Sequence, residues 1–185
     1  MKVSNRAEDV SRSRIYGWGA CVPELVVTND DLAAIIGTSD EWVRKRSGIA
    51  QRRYATDGEG STVLAARAAA DAMETASVAA DDIDLLLCCT LSPDIDFPSN
   101  ASLLQERMGM AGKPAFDLRN QCSGFVYALA VADLYIRTGG ARKGLVVGSE
   151  IHSSGLDYEG SRGRDVTVLF GDGAGAVVVG ASEEP

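Results

Sequence analysis

Apolar positions along the chain fall into short continuous runs and longer helical stretches that alternate. RIYGWGACV (14–22) reads as a strand, and Thr28-Asn29 cap a short helix, DDLAAII, that Gly37 ends. A second cap at Thr38 to Asp40 opens DEWVRKR, and Gly48 closes it. IAQRRYA (49–55) has extended character, and TVLAARAAADAMETA after Ser61 is rich in the strongest helix formers. IDLLLCCT (83–90) is a continuous apolar run of strand length, the signature of a strand covered on both faces. Pro98-Ser99 start a helix, ASLLQERMG, and the strand PAFDL (114–118) follows. A long apolar helix then runs from Cys122 to about Thr138, stopped by Gly139-Gly140. The remaining strands are GLVVGSE (144–150), VTVLFG (166–171) and AGAVVVGA (174–181), the last two forming a hairpin around Gly171-Asp172-Gly173. Strand and helix units followed by a terminal hairpin imply a layered α/β domain with a mixed sheet.

The helix after Cys122 is apolar nearly all round, with Phe125, Val126, Ala128, Leu129, Val131, Ala132, Leu134 and Tyr135, and is expected to be a buried central helix. Cys122 stands where a strand ends and this helix begins, a position at which open α/β sheets tend to bind ligands. Unpaired N–H groups at a helix start favour the thiolate, the nucleophilic form, and can support an oxyanion. Ser123-Gly124 keep the turn small enough for a substrate to reach the sulfur. A structural cysteine at a helix cap fits the same local sequence equally well.

Composition narrows the classes. A length of 185 residues with 45% hydrophobic content supports a real core. The formal charge of −8 argues against nucleic acid or an anionic membrane as partner, because phosphate contacts need a basic surface. No stretch approaches the ~20 apolar residues of a membrane span. MKVSNRAEDV is polar with no signal region, so residues 1–12 read as a flexible tail, 13–185 as the folded domain, and the location as cytoplasmic. Cys21, Cys88, Cys89 and Cys122 match neither a disulfide framework nor a zinc site, and Cys88 and Cys89 read as core. GDGAGA lacks the lysine and hydroxyl residue of a phosphate loop. Arg44, Lys45, Arg46, Arg52 and Arg53 offer a local positive surface to a coenzyme or an acidic carrier protein, or else a plain solvated face.

Three separated stretches, GTSDEWVRKRSGI, FDLRNQCSGFVYALAVAD and VLFGDGAGAVVV, resemble β-ketoacyl-acyl-carrier-protein synthase III, the initiating condensing enzyme of bacterial fatty acid synthesis. The resemblance runs from about residue 14 onward and corresponds to the N-terminal half of a family whose members have two similar halves in the thiolase fold. It implies a layered thiolase-like half with a mixed five-stranded sheet, with the C-terminal half absent from this chain. It also implies acyltransferase chemistry: Cys122 accepts an acyl group from acyl-CoA, a substrate rather than a resident cofactor, for decarboxylative condensation with malonyl carrier protein. On the same ground Thr38, Trp42, Arg46 and Arg164 match the coenzyme-binding positions, with Trp42 stacking on adenine and the arginines holding the nucleotide and its phosphates. Phe97 matches a residue that walls the partner's acyl pocket across a homodimer interface, and the strand near Pro114 to Leu118 matches the one that pairs with its twin there. Acyl carrier protein and the C-terminal half are the other partners implied, and no metal is.

Departures from the family pattern keep other readings in view. Arg119-Asn120-Gln121 replace small apolar residues before the cysteine, and the segment from His152 to Arg164 is a few residues longer. The family's catalytic histidine and asparagine belong to the second half. A priming condensing enzyme of a polyketide or secondary pathway, a non-catalytic dimerising or binding module, and a small hydrolase pairing Cys122 with His152 are the alternatives.

Overall fold

The structure is a computed structural model in which residues 12–159 and 163–182 are described. The expected tail therefore lies outside the described residues except for Arg12, which already begins the first strand.

Among the described residues seven strands form in chain order: β1 (Arg12–Cys21), β2 (Leu25–Thr28), β3 (Gln51–Tyr54), β4 (Leu85–Cys89), β5 (Ala115–Leu118), β6 (Lys143–Glu150) and β7 (Gly173–Ser182). Five of them make a mixed sheet in the order β1-β7-β6-β4-β5. Strand β4 runs parallel to β5 and β6, whereas β7 is antiparallel to both β6 and β1. The six α-helices among the described residues are α1 (Asn29–Ala33), α2 (Asp40–Ser47), α3 (Ser61–Ala76), α4 (Asn100–Arg107), α5 (Gly124–Arg137) and α6 (Arg164–Thr167).

Period-two alternation on the central strands builds two cores. Leu86, Leu145, Val147, Ala176 and Val178 pack with α3 and with Leu104 of α4 on one face. Leu85, Leu87, Cys89, Val146 and Val177 pack with Ala128, Ala132 and Ile136 of α5 on the other. The run IDLLLCCT is thus buried on both faces, as its unbroken apolarity implies. Gly17 and Gly19 of β1 let α3 sit directly on the strand. A Cβ at Gly19 would lie 2.3 Å from the Ala68 carbonyl oxygen, and one at Gly17 would lie 2.4 Å from the Ala76 nitrogen. A third, smaller cluster of Leu32, Ile36, Val43 and Val168 joins α1, α2 and the end of α6, with Trp42 packed against it.

Two expectations are corrected. Residues 166–171 are not a strand: α6 and the turn after it occupy them, with Val168 buried and Val166 and Leu169 exposed. The β-branched run favours a strand locally, but β7 is flanked by β1 and β6, so neither of its edges is open to a hairpin partner. Nor is α5 buried all round. Gly124, Ala128, Ala132 and Ile136 form one buried stripe, while Val126, Tyr127, Leu134 and Tyr135 stay exposed because none of the described residues covers that side of the helix. The more deeply buried helix is α3, whose Leu64, Ala65, Ala68, Ala69 and Ala72 are sealed.

Candidate functional site

Cys122 lies at the carboxyl end of the sheet, in a single 3-10 turn (Gln121–Ser123) between β5 and α5. The turn is sharp because Gln121 adopts a left-handed backbone, φ 45°, which is uncommon outside glycine. Asn120 and Ser123 brace it: Asn120 Nδ2 donates to Ser123 Oγ at 3.2 Å, and Ser123 Oγ donates to the Asn120 carbonyl at 3.1 Å. The α-helix proper thus starts at Gly124, two residues after the position where its sequence signal begins. Of the four cysteines Cys122 is the exposed one. It opens on a cavity of about 300 Å³ lined by Cys89, Phe125, Ser149, Glu150 and the backbone of Gly173 to Gly175. Burial pushes the thiols of Cys88 and Cys89 up to about 12, which keeps them protonated, as core cysteines.

Glu150, the last residue of β6, lines that cavity and holds the loop after β4. Its carboxylate accepts from the Leu91 and Ser92 amides at 3.0 and 3.2 Å, and from Ser92 Oγ at 2.6 Å. The same loop carries Phe97, which is 90% exposed, so Phe97 is no core aromatic in this chain. Arg119 reaches this loop as well, donating to the Leu91 carbonyl at 3.3 Å. His152 is not among the residues lining the Cys122 cavity. Its ring packs edge-on against Phe170, with centroids 4.9 Å apart, and its Nε2 is 4.0 Å from Glu150. Asp172, in the GDG turn, is buried and accepts from the Ala55 and Ser153 amides at 2.7 and 2.8 Å, so this segment is a structural turn beside the site.

A second group of residues gathers around Trp42. Ser39 caps α2 by accepting from the Trp42 amide, and Gly48 ends the helix in the left-handed conformation. The indole is half-buried, resting on the third cluster. The guanidiniums of Arg46 and Arg164 lie over it, 4.1 and 4.0 Å from the ring centroid. Thr38 Oγ1 and Arg164 Nε are buried and have no hydrogen-bond partner among the described residues. Arg164 is therefore not an ordinary solvated surface charge, and its unsatisfied Nε beside an aromatic face suits a polar planar ligand. Trp42, Arg46 and Arg164 are thus brought together, with Thr38 two residues before the start of α2, while Cys122 and Phe97 belong to the sheet end.

Sequence reasoning missed Glu150 and strand β2. A lone carboxylate closing the apolar strand GLVVGSE was the available signal for the first. Nothing local marks Gln121 for a left-handed backbone.

Comparison with known proteins bears on the whole arrangement. Residues 116–185 match the family profile described as 3-oxoacyl-[acyl-carrier-protein (ACP)] synthase III. The β-ketoacyl-[acyl-carrier-protein] synthase III of Thiobacillus denitrificans is 52% identical over 174 residues, which cover 94% of this chain and 54% of that protein. Among solved structures, the 3-oxoacyl-[acyl-carrier-protein] synthase III of Aquifex aeolicus superposes with a TM-score of 0.89 at 45% identity, covering 93% of this chain and 55% of that one. The priming β-ketosynthase of the R1128 polyketide pathway gives a TM-score of 0.90 at 34% identity, over 98% and 54% of the two chains. The chain spans about half the length of the curated relatives it matches.

Proposed function

We propose, from the premise that this chain belongs to the β-ketoacyl-[acyl-carrier-protein] synthase III family, that it is the acyl-accepting half of a decarboxylating condensing enzyme. The observation that carries the reading is the exposed Cys122 on a tight, strained turn at the mouth of a cavity formed by strand ends. In this reading the Cys122 thiolate attacks the carbonyl of acyl-CoA. The bond to the coenzyme sulfur breaks, free coenzyme A leaves, and the acyl group stays on Cys122 as a thioester. Malonyl carrier protein then loses carbon dioxide, the resulting carbanion attacks the carbonyl of that thioester, and the bond to the Cys122 sulfur breaks, releasing β-ketoacyl carrier protein and returning the Cys122 thiolate. The groups that polarise the malonyl carbonyl are assigned to no described residue of this chain, and His152 packs against Phe170 instead.

The Trp42 group is the coenzyme subsite: the indole supplies a stacking face once a guanidinium moves off it, Arg46 and Arg164 supply charge for phosphates, and Thr38 Oγ1 has free hydrogen-bonding capacity. The chemistry asks for no metal and no cofactor beyond the coenzyme borne by the substrate. A homodimer would form through β5, which among the described residues pairs with β4 alone and has its outer edge unpaired. Phe97, 90% exposed and outside the core of its own chain, is available to serve a partner's acyl pocket. The second half of the protein would cover the exposed Val126, Tyr127 and Leu134 of α5, and the location is cytoplasmic.

Incubation with acetyl-CoA followed by peptide mapping tests the acyl-transfer step. An acetyl group on Cys122 is expected. An unmodified Cys122, or a label on Cys21 instead, rejects the reading.

A further inference from the structure

Beneath the Trp42 group lies a buried polar chain that no catalytic argument uses. Arg52 of β3 is only 6% exposed. Its Nη2 donates to Asn29 Oδ1 and to the Val168 carbonyl, both at 2.9 Å, and its Nη1 donates to the Val27 carbonyl at 3.3 Å. Asn29, 1% exposed, continues the chain: its Nδ2 donates to Asp40 Oδ1 and to the Ile49 carbonyl, both at 2.8 Å. Asp40 is the first residue of α2, the helix of Trp42, and Val168 is the C-cap of α6, the helix of Arg164. One guanidinium thus bonds the end of one helix directly and the start of the other through a single amide. Gly171 makes room for it, since a Cβ there would lie 3.0 Å from Arg52 Cβ.

The energetics point the same way. The three acceptors of Arg52 named above are neutral, and its Nε is buried without a partner among the described residues. Burying a cation against neutral acceptors is costly, and an apolar side chain would fill the same space at less expense. A group kept there at such a cost is doing more than filling the core.

We infer that Arg52 is the positioning residue of the Trp42–Arg164 subsite: by bonding Asn29 and Val168 it sets the separation of α2 and α6, and so keeps the indole and the Arg164 guanidinium in register. Arg52 itself touches no ligand. The inference rests on reading that subsite as the place where the nucleotide end of acyl-CoA binds.

The test uses the full chain carrying Trp18→Phe, which leaves Trp42 as the sole tryptophan. Arg52→Met, Arg52→Lys and Asn29→Leu are compared for acrylamide quenching of Trp42, and for acetylation of Cys122 by acetyl-CoA and by the nucleotide-free thioester of N-acetylcysteamine. In Arg52→Met and Asn29→Leu, Trp42 becomes more accessible to acrylamide. The acetyl-CoA concentration for half-maximal labelling rises about tenfold, the size expected when hydrogen bonds from a charged group are lost. Labelling by the nucleotide-free thioester is unchanged, and Arg52→Lys recovers part of the loss. Wild-type quenching with wild-type acetyl-CoA dependence in both variants overturns the inference, as does an equal loss with both donors. If the parent takes acetyl from neither donor, the acyl-transfer reading fails, and the quenching comparison alone still decides the role of Arg52. Should Arg52→Met not fold, Asn29→Leu decides, because it cuts the link to α2 while leaving Arg52 bonded to Val168.

Discussion

The guanidinium of Arg164 lies 4.0 Å from the centroid of the Trp42 indole, although the two residues come from opposite ends of the described chain. Stacked rings keep their centroids about 4.5 Å or more apart, so no planar base fits between these two groups as they stand. A base that stacks on the face Arg164 covers must displace it. Coenzyme A binding is therefore expected to change the emission of Trp42, and Trp42→Ala to raise the half-saturating acetyl-CoA concentration about five- to thirtyfold, the equivalent of ~1–2 kcal/mol of stacking and cation–π contact. The dependence of Cys122 labelling on acetyl-CoA concentration checks this, and an unaltered curve in Trp42→Ala contradicts it.

Cysteine chemistry provides a second prediction. Cys88 and Cys89 are held as thiols by burial, with values pushed up to about 12. Iodoacetamide at pH 8 is expected to modify Cys122 well before either of them, since attack needs both exposure and thiolate. Timed alkylation with peptide mapping is the measurement. Early modification of Cys88 or Cys89 in folded protein would show that the central strand is open to solvent.

The contact of β1 with α3 predicts a stability loss. A side chain at Gly19 meets the backbone of α3, with the Ala68 carbonyl at 2.3 Å and the Ala72 nitrogen at 2.4 Å, and neither can yield without moving the helix. Gly19→Val is expected to cost about 1–3 kcal/mol or more and to lower Tm by several degrees. Thermal melting followed by circular dichroism decides it; an unchanged Tm means α3 sits further from the strand.

Glu150 predicts a local effect. Glu150→Ala removes the carboxylate that receives the Leu91 and Ser92 amides. Hydrogen exchange at those two amides should accelerate while the amides of β4 stay protected. Equal protection in the variant would mean that the loop is held by something else.

Acid stability follows from three aspartates. Hydrogen bonds from Thr28 hold Asp31 below the usual carboxylate range, and those from Asn29 and then Arg44 do the same for Asp40. At Asp84 burial pulls upward, but the Arg142 and Lys143 amides outweigh it and the net direction is down. Each group has its ordinary value in the unfolded chain and a lower one in the fold, so between the two values the unfolded chain binds more protons. The stabilisation is fully present above about pH 4 and disappears as pH falls through the folded values. Tm should fall below pH 4, and less steeply in Asp84→Asn. A Tm that rises on acidification from pH 5 to pH 3 would run against this sign.

Much of the architecture follows from local pattern. The apolar run at 83–90 reads as a strand buried on both faces and 144–150 as a strand, the alanine-rich stretch after Ser61 reads as a helix, and the glycines after Arg137 and Ser47 end their helices by supplying left-handed backbone. The cysteine at a strand-to-helix junction was also visible, because that junction is written in two adjacent periodicities. What the tertiary structure alone decided concerns edges and distant partners. Residues 166–171 carry a strand's composition yet coil into α6, since both edges of β7 are taken by strands from elsewhere in the chain. The stacking of Arg164 on Trp42, the clamp of Glu150 on the loop after β4, and the bonds of Arg52 to Asn29 and Val168 join residues far apart in sequence. Local propensity extends over a turn or two of backbone; a contact between distant segments exists only once the sheet has set where their ends lie.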